Sequence, residues 1–201
     1  ISLLLIFIGC DTKQLNGPAE TQFIENVTSI DDLDKIAMLL EANFEVEELS
    51  QNVKSGAAFS RDDEETLKSI LQPIEEIGKA FKKELLSNKN LSASDLKYLN
   101  EMDGHELVML GIVSLVLKEA ESKRQNYRIN GYAVNIEDVD VDQVMSCLGI
   151  ATGYSSIKAI FNIEDLLDAK TLLKTLKAVG KRYLGYVGAA VMVYSFVKCM
   201  G

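Results

Sequence analysis

Residues 106–117 read ELVMLGIVSLVL, nine large apolar side chains broken only by one acid, one glycine and one serine. Drawn as a helix, the run is apolar on nearly every side, whereas a surface helix confines such residues to one stripe. Twelve residues rise only about 18 Å as a helix, well short of the roughly 30 Å of a bilayer core. The run is therefore expected to form a central helix wrapped by others, opened by Asp103 and Glu106 and carried to the surface by KEAESKRQN. On this reading the fold is all-α, a compact multi-helix bundle.

Composition agrees. The 201 residues are 47% hydrophobic and only 7% aromatic, with two prolines and no tryptophan. That favours helices over a strand-rich sandwich and allows one substantial core. The net charge of −9 excludes a typical nucleic-acid binder, which neutralises phosphates with surplus Lys and Arg. The charge is uneven. Residues 1–126 hold 13 basic and 23 acidic groups, whereas 158–201 hold 7 basic and 3 acidic. An acidic front and a basic, apolar tail suit either differently solvated faces or an anionic partner for the tail.

Apolar spacing places the other helices. One is expected from Thr28 to Val53, with Ile30, Leu33, Ile36, Ala37, Leu40 and Phe44 on one face and Thr28, Ser29 or Asp31 as its cap. Ser60 and Asp63 have capping-box spacing and open a second, which carries Leu67, Ile70, Leu71, Ile74, Ile77, Phe81 and Leu85 and is kinked by Pro73. Ser92 and Asp95 repeat the spacing before a short helix through Leu99. Further helices are expected near 141–151, 155–161, 163–179 and 182–199, and Asn130-Gly131 suggests a small β-hairpin near 127–136. The last helix, fifteen uncharged residues from Tyr183 to Val197, reads as buried core rather than a membrane span. Gly149 with Gly153 and Gly185 with Ala189 have the small-x-x-x-small spacing of close helix approach.

The chain begins ISLLLIFIGC and turns polar at DTKQLNGPAETQ. Residues 1–9 have the size of a signal-peptide hydrophobic region, although a buried N-terminal element would share that composition. The FIGC at 7–10 resembles the lipobox of bacterial lipoproteins, with Gly9 at the small position and Cys10 at the lipidated one. Phe7 departs from the leucine usual in that family, and the positive residues that normally open such a signal are missing. The resemblance implies that Cys10 becomes an acylated N-terminus and that 10–27 is a tether. The domain would follow at 28–201, with the acidic front at 28–126 and the basic tail subdomain at 139–201. It also implies a membrane partner held through the lipid and a place at the bacterial cell envelope. The tail RYLGYVGAAVMVYSFVKC at 182–199 is faintly similar to uncharacterised exported bacterial proteins, a likeness that brings no function with it.

With Cys10 acylated, Cys147 and Cys199 remain, and an even pair in an oxidising compartment is expected to form a disulfide, the alternative being two buried thiols. No Cys/His cluster suits zinc. Asp138, Asp140 and Asp142 alternate as calcium ligands do, but glycine is missing at the sixth position and glutamate at the twelfth, so no metal and no cofactor are expected. The sole histidine, His105, falls in the first turn of the central helix and is expected to face solvent. There is no G-x-S-x-G, H-E-x-x-H, Walker loop or dinucleotide fingerprint, and hence no catalytic residue to name. Two functions suit these features. One is a lipid-anchored, non-enzymatic binding domain whose protein or ligand partner the sequence does not name. The other is a bacteriocin-like precursor whose basic tail acts on membranes while the acidic front neutralises it.

Overall fold

A computed structural model describes residues 27–55, 59–126, 141–151, 169–180 and 185–201. Among them the chain forms eight helices and no strand: α1 (Leu33–Asn43), α2 (Val46–Ser55), α3 (Arg61–Leu86), α4 (Ala93–Glu101), α5 (Gly104–Asn126), α6 (Val141–Ala151), α7 (Ala169–Gly180) and α8 (Gly185–Met200). The fold is an all-α bundle, as the sequence predicts. The expected hairpin at 127–136, the helix at 155–161, the Asp138 and Asp140 positions and Cys10 lie outside the described residues.

The ELVMLGIVSLVL run becomes the centre of α5, and residues 107–117 are buried without a break. Its principal partner is α3, in the most extensive helix contact of the bundle. Two glycines make that contact possible. A Cβ on Gly78 of α3 would overlap the Leu107 carbonyl of α5, and a Cβ on Gly111 of α5 would overlap the Ile74 carbonyl of α3. The two backbones therefore touch where other helix pairs keep side chains between them, typically 8–10 Å axis to axis. On the other flank, α8 packs against α6, α1, α5, α2 and α3, with Val187, Gly188, Ala189, Ala190, Met192, Val193, Phe196 and Val197 buried. α7 lies on α5.

The helix starts follow local chemistry. The Ser60 hydroxyl accepts from the Asp63 N–H at 3.1 Å, and Ser92 with Asp95 forms a complete capping box. The Asp103 N–H donates to the Glu106 carboxylate at 3.0 Å. Pro73 lies within α3, and the helix continues through it.

Two expectations are corrected. The cap of α1 is neither Thr28, Ser29 nor Asp31: the Asp32 carboxylate reaches back to accept from the Thr28 and Ser29 N–H groups at 2.9 and 3.1 Å. These donors and, above all, the Lys35 ammonium at 2.8 Å hold its carboxyl well below the usual range. The helix expected from 28 to 53 is in fact two, because the chain turns extended at Phe44 (φ −141°, ψ 147°). The cause is visible in the spacing. Buried positions run Leu33, Ile36, Leu40, then Val46 and Leu49, with Phe44 half-buried between them. The two-residue step from Phe44 to Val46 rotates the apolar stripe by about 200° at about 100° per residue, so one unbroken helix could not bury both halves.

Candidate functional site

Among the described residues, three polar contacts join the acidic front to the tail, and each uses a different front helix. On α3, Glu75 is 7% exposed and both its oxygens are engaged. Oε1 takes Lys79 at 2.9 Å, and Oε2 accepts from the Tyr186 hydroxyl of α8 at 2.8 Å. Burial pushes this carboxyl up, but Lys79, Tyr186 and the charge of Lys68 outweigh it and leave Glu75 below its ordinary value. The phenol of Tyr186 is driven up, by burial first and then by Glu75. Gly104, at the start of α5, leaves room for this pair, since a Cβ there would collide with the Tyr186 hydroxyl. Beside it His105 meets the Tyr186 ring edge-on, centroids 6.5 Å apart. His105 does stand in the first turn of α5, but it is half-buried against an aromatic ring instead of facing solvent.

The second contact joins α4 to α7. Asp95, 6% exposed, accepts from the Lys177 ammonium at 2.7 Å, and that ammonium also lies 5.2 Å from the Tyr98 ring centroid. Lys177, then Ser92, hold the Asp95 carboxyl down at about 2. Tyr98 in turn donates to Glu106 at 3.0 Å, so the start of α5 is tied into the same group. A folded-state pKa below the unfolded one stabilises the fold at pH values above the unfolded carboxylate range, and that contribution disappears as pH falls from about 4 to about 2. Lys177→Met is expected to return Asp95 toward the ordinary carboxylate range and flatten that part of the acid limb, which carboxyl-carbon NMR titration beside acid unfolding will read. An unmoved Asp95 titration would refute the assignment.

The third contact borders a cleft. Glu41 of α1 accepts from the Tyr194 hydroxyl at 2.8 Å and pairs with Lys198 at 2.9 Å, both from α8. The cleft encloses about 500 Å³ at the α1–α2 corner and is lined by Glu41, Asn43, Phe44, Glu45, Glu47 and Tyr194, among others. It exists because of the chain break at Phe44. Its lining is chiefly carboxylate, with the aromatic rings of Phe44 and Tyr194.

Chemically, the Glu75 group is a support. A carboxylate with both oxygens occupied and a lowered pKa is a weak base and, at neutral pH, no acid. Tyr186→Phe would remove one donor to a buried charge, at an expected cost of about 1–2 kcal/mol in urea unfolding. A loss below a few tenths would show that the hydrogen bond contributes nothing net.

Of the residues singled out from sequence, Cys147 and Cys199 form a disulfide between α6 and α8, Cα atoms 5.3 Å apart. Among the described residues no three His, Cys, Asp or Glu side chains gather as metal ligands. Close backbone contacts are made at Gly78 and Gly111, whereas at Gly185 an added Cβ would meet nothing nearer than the Glu64 carboxylate at 3.8 Å, and Gly153 lies outside the described residues. Glu75 and Tyr186 were missed because nothing in a helical pattern distinguishes a glutamate whose partner lies 111 residues away. Compared with protein-family models, curated proteins and solved structures, the chain matches none.

Proposed function

We propose that the protein is a lipid-anchored bacterial envelope protein whose disulfide-locked helical domain binds a partner without catalysing a reaction. The disulfide between Cys147 and Cys199 carries this reading, because such bonds persist in exported compartments and are rare in the cytosol. The lipobox-like FIGC supports it from the sequence. No helix among the described residues is long and apolar enough to cross a membrane. Among the described residues, the cleft beside Glu41 and Tyr194 is one surface such a partner could use. A membrane-active tail would instead require α8 to leave the core, where eight of its residues are buried.

Intact mass spectrometry of the protein purified from its native membrane fraction tests the reading. The expected species begins at an acylated Cys10 and is two hydrogens lighter than the dithiol form. A soluble species with a bare Cys10 thiol would overturn the anchor.

A further inference from the structure

We propose that the outer face of α7 docks the domain on an anionic bilayer surface. This rests on the lipid anchorage argued above. Ala169, Leu172, Leu173 and Leu176 are buried, and α7 packs on α5. Lys170 and Lys174, one turn apart, are exposed on the outer face, and α7 contains no acid. The tail cations Lys177 and Lys198 are consumed by Asp95 and Glu41. Among the described residues neither Lys170 nor Lys174 has an ion-pair partner, and both are exposed.

The occupant follows from charge. A chain of net charge −9 is repelled by an anionic leaflet, and only a locally positive face can approach it closely. The acidic flank cannot serve, since Glu45, Glu47 and Glu48 of the α1–α2 corner are exposed. Each lysine close to such a surface changes the docked population about fivefold, so two change it about thirtyfold. That is too little to recruit a free protein. It is enough to orient one already held at the surface, where docking has become intramolecular. α1 and α2 pack against α8, and α1 also against α3, whereas α7 contacts α5 and reaches α4 through Lys177, so α2 serves as the reference helix for docking on α7.

The acylated full chain is placed in nanodiscs of phosphatidylcholine alone, or with about 30% phosphatidylglycerol, each doped with a gadolinium-headgroup lipid. Amide relaxation then compares α7 with α2. The expected result is selective broadening of α7 in the anionic discs, abolished at about 0.5 M salt and in Lys170→Gln/Lys174→Gln. Equal broadening of α7 and α2, or α7 broadening that persists in neutral discs or in the variant, overturns the proposal while leaving the anchor intact. Failure to associate with neutral discs refutes the anchor itself and the docking with it. Both lysines are exposed, so the variant keeps its fold, and an unchanged thermal transition will verify that.

Discussion

Cys147→Ala/Cys199→Ala is expected to lower the unfolding free energy by about 4 kcal/mol, and the melting temperature by roughly 10 °C for a chain of this length. The bond spans 52 residues, and in the chain-entropy model the cost of closing such a loop then falls on folding instead of on the unfolded state. Its position adds to the effect. Cys147 is fully buried on α6, and Cys199 stands in the last turn of α8, beside the Lys198 that reaches Glu41. Losing the bond frees the end of the helix that, among the described residues, packs against more helices than any other. A kinetic corollary follows from the same burial. A thiol reaching the partly exposed Cys199 must expel a Cys147 thiolate into apolar surroundings, which disfavours the leaving group. Reduction of the native protein by dithiothreitol should therefore proceed at the rate of unfolding. Cys10→Ser is the control, since that residue precedes the described bundle and its loss should leave the transition where it was. A double variant within 1 kcal/mol of the parent chain would show that burial alone holds α6 to α8.

What the sequence made legible was whatever depends on neighbours three and four residues apart. The ELVMLGIVSLVL run announces its burial because no face is polar, and the structure buries it from 107 to 117. Ser60 and Ser92 announce helix starts because a cap is satisfied within three residues. The break at Phe44 is also present in the spacing, as the two-residue step to Val46, but Leu33, Ile36 and Leu40 on one side and Leu49 and Val53 on the other each fit a helix, which masks the step. The long-range contacts were not legible. The charge asymmetry suggested solvated faces or an external partner, whereas part of it is satisfied internally, Glu41 by Lys198 and Asp95 by Lys177. Nothing local marks those glutamate and aspartate residues among thirty acids. The α3–α5 crossing was hidden for a related reason: a single glycine in each helix reads as a propensity defect until the other is known to lie opposite.

That crossing gives the other large expected effect. Gly78→Ala and Gly111→Ala should each cost about 3 kcal/mol, at the upper end of what one added carbon does to a packed core. The usual relief is closed to them. A new Cβ meeting a side chain can be accommodated by a rotamer change, but here each meets main-chain carbonyl atoms of the facing helix, so the helices themselves must separate. Separation loosens the packing of the buried residues on both sides, including Ile74 and Leu107. Gly185→Ala supplies the contrast. Gly185 has φ +82°, which an alanine adopts only under strain, but its Cβ would meet nothing closer than the Glu64 carboxylate at 3.8 Å. Its expected cost is therefore conformational and near 1 kcal/mol. The double variant at 78 and 111 separates the mechanisms. If one substitution already forces the helices apart, the second strikes a gap partly opened, and the double loss falls well below the sum of the singles. Chemical unfolding of the full chain measures all four variants. Strict additivity would mean that each glycine is accommodated locally, and a cost at Gly78 below about 1 kcal/mol would mean that α3 and α5 do not meet backbone to backbone.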